Sequence, residues 1–176
     1  NIQGTDGIGK STFGAHAPNP IFIQAEDGLS FIDAARFPQA DTWSEILEQL
    51  KSLAEEQHSY KTVVLDTTDA AAKLGEAHVC EKNGWSSAAD PKAGYGAFYV
   101  AEENAWLNLL NGLNFCFRNR GMNVILLSHV ASKSYKDPEL EPYDRWEMRC
   151  NKKVNALIKD WVDFNLFANY ETTLIK

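Results

Sequence analysis

The sequence predicts an α/β fold of three layers, with helices covering a mainly parallel central sheet. Three observations predict it. Short apolar runs, Pro20 to Gln24 (PIFIQ), Thr62 to Leu65 (within KTVVLD) and Asn123 to Ser128 (NVILLS), each end in polar residues, as strands buried on both faces do. Segments with helical apolar spacing separate these runs. A glycine-rich turn, Gly4 to Ser11, stands where a first strand should pass into a first helix.

The elements follow in order. Asn1, Ile2 and Gln3 leave scarcely any strand ahead of the turn and are no initiator sequence, so residues preceding Asn1 are expected. A helix begins near Lys10, and the strand Pro20 to Gln24 follows. Thr42 to Gln57 places Trp43, Ile46, Leu47, Leu50, Leu53 and Ala54 on one helical face, with Thr42 and Glu45 spaced as a capping box. After the second strand, Thr68 to Asn83 reads as a helix closed by Gly84, and Ala97 to Arg120 as a long helix closed by Gly121. Phe98, Ala101, Leu109, Leu113 and Phe117 of that long helix are its expected core residues. Beyond the strand Asn123 to Ser128, the stretch Val130 to Asp144, with Pro138 and Pro142, is too polar and broken for a helix and is expected to form an excursion or hairpin. Asn151 to Asp160 reads as a short helix, and DFNLFANYE contains a final strand. Thr172 to Lys176 looks like a chain stopping inside an element.

The chain has 176 residues, enough for one well-buried core and too few for two ordinary domains, so residues 1–176 are expected to form one unit. Hydrophobic residues at 44% and charged residues at 23% exclude a disordered or fibrous protein, and no run approaches the ~20 apolar residues that span a bilayer. Cys80, Cys116 and Cys150 are widely spaced, form no C-x-x-C pair and have no histidine cluster beside them, which points to buried reduced thiols in a cytoplasmic protein. A net charge of −7 opposes long-range attraction to nucleic acid, so any such binding must come from local basic loops.

Gly4 to Ser11 reads GTDGIGKS, a complete G-x-x-x-x-G-K-[ST] match. A phosphate chain needs several backbone N–H donors converging on it with no side chains in the way, and Gly4, Gly7 and Gly9 provide that backbone. The helix starting near Lys10 adds the positive end of its dipole. The expected nucleotide contacts are therefore Gly4, Thr5, Asp6, Gly7, Ile8, Gly9, Lys10, Ser11 and Thr12. Lys10 should reach the β- and γ-phosphates of ATP, and the Ser11 hydroxyl should ligate Mg²⁺. A magnesium ion held by one hydroxyl needs a carboxylate too, and Asp66, ending the run TVVLD, is placed for it.

Hydrolysis needs a base. Thr67 occupies the position after Asp66 where a glutamate often orients water, so the base must come from elsewhere. Glu26, just past the strand in IFIQAED, is the leading candidate, with a solvated loop carboxylate as the bland reading. Asp27 and Asp69 are its competitors, and helix capping is the simpler role for Asp69. The strand NVILLS should insert beside the first strand, bringing Ser128 or His129 near the γ-phosphate, where His129 is either a sensor or a strand-ending histidine. His16, His58 and His78 read as packing or surface residues.

These features together resemble the RecA-like ATPases. The phrases APNPIFIQAEDGL, YKTVVLDTTD, GMNVILLSHV, EPYDRWEMR and WVDFNLFANYE extend the resemblance over nearly the whole chain, to phage-encoded, core-only relatives of RecA that accompany single-strand annealing recombination. The resemblance implies Walker A roles for Lys10 and Ser11, the magnesium role for Asp66, the catalytic glutamate role for Glu26 and the sensor role for His129. It also implies two DNA-facing loops, here Gly84 to Gly96 and Val130 to Arg149. Lys92, Tyr95 and Tyr99 in or beside the first, and Lys133, Tyr135, Lys136, Arg145 and Arg149 in or beside the second, are the candidate contacts to single-stranded DNA. Asp137, Glu139, Glu141, Asp144 and Glu147 interleave with those cations, so a solvated mixed-charge hairpin is the competing reading. Self-association, a single-strand DNA-binding protein as partner, and trans-acting Lys152 or Lys153 are further implications, with helix-surface lysines as the alternative for that pair.

Two other functions compete. A P-loop kinase for a small acceptor needs an arginine-bearing lid, and Arg36, Arg118, Arg120, Arg145 and Arg149 form no compact lid cluster in the sequence. A non-hydrolysing module, in which ATP only orders loops for a partner, would bind ATP without turnover.

Overall fold

The computed structural model describes residues 1–94, 96–171 and 173. Seven strands form one sheet: β1 (Ile2–Gly4), β2 (Pro20–Gln24), β3 (Ala35–Arg36), β4 (Thr62–Asp66), β5 (Asn123–Tyr135), β6 (Tyr143–Met148) and β7 (Leu166–Ala168). Five α-helices accompany them: α1 (Lys10–Ala15), α2 (Trp43–Glu55), α3 (Thr68–Asn83), α4 (Ala97–Arg120) and α5 (Lys152–Trp161). Across the sheet the order is β3, β2, β4, β5, β1, β7, all parallel, while β6 pairs antiparallel with the outer half of β5. The fold class is the expected one. β5 lies between β4 and β1, with Leu65 opposite Leu126 and Gly4 opposite His129.

Strand periodicity divides the core into two faces. Ile21, Ile23, Val63, Leu65 and Leu126 pack with α2, α3, α4 and α5, whereas Phe22, Val64 and Leu127 pack with Leu29, Ala15 and Ile32 on the α1 side. Burial on both faces explains why these strands read as continuous apolar runs. In the thicker layer Trp43 of α2 meets Trp106 of α4 edge-on, with ring centroids 5.4 Å apart.

Local chemistry sets the helix ends. Thr42 caps α2 by accepting from the Glu45 N–H, and the Glu45 carboxylate accepts in turn from the Asp41 N–H, so the expected pairing is present one residue displaced. Gly84 and Gly121 end α3 and α4 with φ of 67° and 63°.

Several expectations change. Phe117 is 52% exposed and not core, because it lies near the end of α4, where it lines a groove with Phe13, Trp161 and Phe164. β3, only two residues long, is not foreseen in the sequence. The stretch after Ser128 is a hairpin, but its first strand is the uninterrupted extension of β5 to Tyr135. Cys80, Cys116 and Cys150 are buried and unpaired with one another. Among the described residues, no helix is long and apolar enough to cross a membrane.

Candidate nucleotide site

β1 delivers Gly4 to the carboxyl edge of the sheet, and the chain then turns through Gly7 and Gly9 into α1. Their φ values of 74° and 97° lie in the left-handed region, which a side chain would strain. Lys10, at the first position of α1, is 6% exposed. Its ammonium donates to the carbonyls of Gly4 at 3.2 Å and Thr5 at 2.9 Å, so the lysine lies folded under the loop. Burial lowers its pKa, and the nearby Asp6, Asp66 and Asp69 partly offset the effect.

The Ser11 hydroxyl donates to Asp66 Oδ2 at 2.7 Å, joining the start of α1 to the end of β4. Burial pushes the Asp66 carboxyl up, and the bond from Ser11 opposes that shift. A hydroxyl and a carboxylate oxygen held this close form a hard-oxygen pair of the kind Mg²⁺ takes, so the donor set fits the expected ion. Gly7, Gly9, Lys10, Ser11, Thr12, Glu26, Asp27, Gly28, Ile32, Asp66 and His129 line one cavity of about 410 Å³. A larger groove of about 590 Å³ lies elsewhere, between the ends of α4 and α5, away from these groups.

The ends of β2 and β5 supply the cavity's far wall. Glu26 Oε1 accepts from the Thr67 hydroxyl at 2.8 Å and lies 3.6 Å from His129 Nδ1. His129 Nδ1 lies 3.1 Å from Asp69 Oδ2, its backbone N–H donates to Asp69 Oδ1 at 3.0 Å, and its Nε2 lies 3.1 Å from Asp6 Oδ1. Asp69 is therefore the anchor of His129 and not the cap of α3; Thr67 takes the cap by accepting from the Ala70 N–H. Burial alone would raise Asp69, but the bonds from His129 outweigh it and hold the carboxyl at about 2. The imidazole is correspondingly raised, first by its hydrogen bond to Asp69. Ser128 points elsewhere: its hydroxyl is buried against Thr68 at 2.6 Å and Asn1 at 2.8 Å.

Asp27 lines the same cavity and accepts from the Ser30 hydroxyl at 3.0 Å. The second loop's candidates divide. Lys133, Tyr135, Tyr143 and Arg145 share one face of the β5–β6 hairpin, where the Arg145 guanidinium lies 3.5 Å from the centre of the Tyr135 ring and Glu147 accepts from it at 2.8 Å. Lys136 is exposed just past the end of β5. Arg149 instead lies at the root of the hairpin, with its guanidinium 2.7 Å from Asp6 Oδ2 of the phosphate loop. Lys92 is exposed on the short 3-10 turn Pro91–Ala93, and Tyr95 lies outside the described residues. Lys152 and Lys153 are exposed at the start of α5. Sequence reading missed the Thr67–Glu26 bond and the approach of Tyr170, whose hydroxyl donates to the Gly7 carbonyl at 3.4 Å. Nothing local in the sequence signals either, since each joins segments more than 40 residues apart.

A family model described as an AAA domain matches residues 1–174. The SPbeta prophage-derived uncharacterized protein YorG of Bacillus subtilis (strain 168) is 28% identical over 174 residues, covering 96% of this chain and 49% of that protein. The chain thus spans about half the length of that relative. An AAA-type match supports nucleotide binding at the loop just described.

Proposed function

The chain belongs to the AAA domain family, and from that premise we propose that it binds ATP with Mg²⁺, hydrolyses the β–γ phosphoanhydride bond and acts on single-stranded DNA in phage recombination or annealing. One observation carries the nucleotide reading. The Ser11 hydroxyl and the Asp66 carboxylate meet at 2.7 Å beside the buried Lys10, inside a cavity that also holds Glu26 and His129.

Each residue has a defined task. The backbone of Gly4 to Lys10 wraps the phosphates, and Lys10 leaves the Gly4 and Thr5 carbonyls to place its charge on the β- and γ-phosphate oxygens. Ser11 and Asp66 hold the magnesium ion, which when bound neutralises charge on those oxygens. Glu26, oriented by the Thr67 hydroxyl, accepts a proton from the attacking water. His129, held by Asp69, presents Nε2 toward the phosphate loop as a donor to the terminal phosphate.

The DNA reading draws support from the paired Tyr135 and Tyr143 rings, 5.6 Å apart, beside Lys133 and Arg145 on a projecting ribbon. Such a face offers stacking and phosphate contact together. Acidic residues interleave with these cations and the whole chain carries a net charge of −7, so binding is expected to be local and sensitive to salt. The prophage origin of that relative agrees with a phage role. Self-association on the strand, with Lys152 or Lys153 reaching a neighbour's site, belongs to the same proposal.

Equilibrium nucleotide binding and steady-state hydrolysis, with and without single-stranded DNA, test it. Lys10→Ala should lose nucleotide binding, and normal binding by that variant sinks the site. Glu26→Gln should bind ATP normally while turnover falls by about 10²–10⁴-fold. Unchanged turnover would move the base to Asp27 or Asp69, and a flat rate in the wild type with ATP bound would favour a non-hydrolysing switch.

A further inference from the structure

Asp6 is an unexpected residue for a phosphate loop. The loop works through backbone N–H donors, and a carboxylate beside them repels the phosphates they are meant to attract. Its surroundings supply a reason for it. Asp6 Oδ2 accepts from Arg149 at 2.7 Å, and Oδ1 lies 3.1 Å from His129 Nε2. Two cationic or cation-capable side chains from β5 and the end of β6 are thereby parked on the loop itself.

The backbone of Arg149 is fixed. Its N–H donates to the His129 carbonyl at 3.0 Å, and its chain neighbours Met148 and Cys150 are 0% and 3% exposed. Its side chain is free by comparison, being 41% exposed, and Asp6 at the other end of the pair is 63% exposed. An ion pair that wet is screened by solvent and holds weakly. A phosphate offers the guanidinium fork two oxygens at once and greater charge, so it is the stronger acceptor.

We propose that Arg149 is a specificity-determining residue for the third phosphate: it rests on Asp6 and transfers to the terminal phosphate of a bound triphosphate, so that ATP is preferred to ADP. The proposal rests on the nucleotide-binding reading above and deepens it. Lys10 and the Glu26–His129 wall line one cavity, and the His129 imidazole already touches Asp6, so a terminal phosphate held in that cavity would compete with Asp6 for the same two donors. A diphosphate stops short of this wall and leaves the Arg149–Asp6 pair closed. Asp6 then acts as a placeholder that keeps Arg149 aimed at the loop and is displaced only by the longer anion.

Fluorescence titration with a non-hydrolysable ATP analogue and with ADP, both with Mg²⁺, tests this without relying on turnover. Arg149→Ala should weaken analogue binding about 10-fold or more, the loss expected for a charge-assisted contact, while changing ADP binding less than about 2-fold. Arg149→Lys, which keeps the charge and loses the fork, should fall between and serves if the alanine variant melts early. Asp6→Asn should tighten both nucleotides by removing a repelling charge, and the analogue more than ADP. Equal losses for both nucleotides in Arg149→Ala and Arg149→Lys, or no loss in either, overturn the proposal. Lys10→Ala separates the two readings: if it abolishes binding while the Arg149 variants fail to discriminate, only the third-phosphate role falls. If Lys10→Ala binds normally, the nucleotide site falls and this role with it.

Discussion

Asp69→Asn removes the charge that holds His129 against the phosphate loop. The carboxylate is 7% exposed and accepts two hydrogen bonds from His129, at 3.0 Å from the backbone and 3.1 Å from the ring. Despite burial, those bonds hold its pKa at about 2, against 3.8 for an unperturbed aspartate. A drop of just under two units corresponds to about 2 kcal/mol of stability. Because the folded-state value is depressed, that contribution is complete above pH 3.8 and is lost as pH falls through about 2. The partner has the opposite sign. The imidazole is raised above 6.5, so its share is complete below pH 6.5 and is lost as pH rises through the folded value. The pair is therefore strongest between those limits, and pH 6 is the place to measure. Asparagine keeps an acceptor for the His129 N–H and loses the charge, so the substitution is expected to cost about 2 kcal/mol at pH 6. For a domain of this size that lowers Tm by about 4–8 °C. The difference between the two proteins should shrink as acid unfolding passes below pH 3. NMR titration of the imidazole, assigned with His129→Gln, should show a lower pKa in Asp69→Asn. An unchanged Tm at pH 6 together with an unchanged His129 titration would refute the reasoning.

Two further outcomes concern the core. Cys80, Cys116 and Cys150 are all buried, and burial pushes the Cys150 thiol up to about 12, so a thiol reagent at pH 8 should label none of them until the protein unfolds. Rapid labelling of the native protein at any of the three would contradict this packing. Gly75→Val should cost about 1–3 kcal/mol, because an added Cβ would lie 3.2 Å from the Trp43 ring, which is 1% exposed and wedged against Trp106. Urea unfolding measures it, and a stability within about 0.5 kcal/mol of the wild type would mean that the Trp43 layer yields easily.

Legibility in the sequence followed the range of the interactions. The phosphate loop and the caps at Thr42, Gly84 and Gly121 depend on backbone conformations encoded within a few residues, and so could be read directly. The parallel strands were visible because both faces of β2, β4 and the inner half of β5 are buried, which removes polar residues from the run. The outer half of β5 was hidden for the converse reason. Past Val130 it leaves the core for a two-stranded ribbon, and Ser132, Lys133 and Ser134 follow no apolar pattern. Phe117 was misplaced because helical periodicity identifies a face but not how far along the helix its covering neighbours extend. The contacts that tune the site were least visible. Arg149 meets Asp6 across 143 residues of chain, and Asp69 meets His129 across 60. No local pattern distinguishes an arginine destined for the phosphate loop from one destined for the outside of the ribbon.

Those long-range contacts also bear on which carboxylate would take the proton from water in the proposed hydrolysis. Asp6, Glu26, Asp66 and Asp69 all reach the carboxyl edge of the sheet, and charge alone does not separate them; Asp27 lines the same cavity but is tied by Ser30 to its own loop, and it stays the alternative to Glu26. Their close partners do. Asp69 is spent on both nitrogens that His129 turns toward it, and its depressed pKa makes it a poor base. Asp6 is spent on Arg149 and on the other side of the imidazole. Asp66 receives the Ser11 hydroxyl, the pairing that suits a metal ligand. Glu26 is bonded through Oε1 to the neutral Thr67 hydroxyl and keeps its side chain 39% exposed on the cavity wall. Its contact with His129 Nδ1 is longer, at 3.6 Å, and falls on the same Oε1, so the second oxygen is uncommitted among the described contacts and can accept a proton with the Thr67 bond intact. Thr67 therefore compensates for its own identity: it cannot be the base that follows Asp66, but it holds in position Glu26, the base proposed in its place.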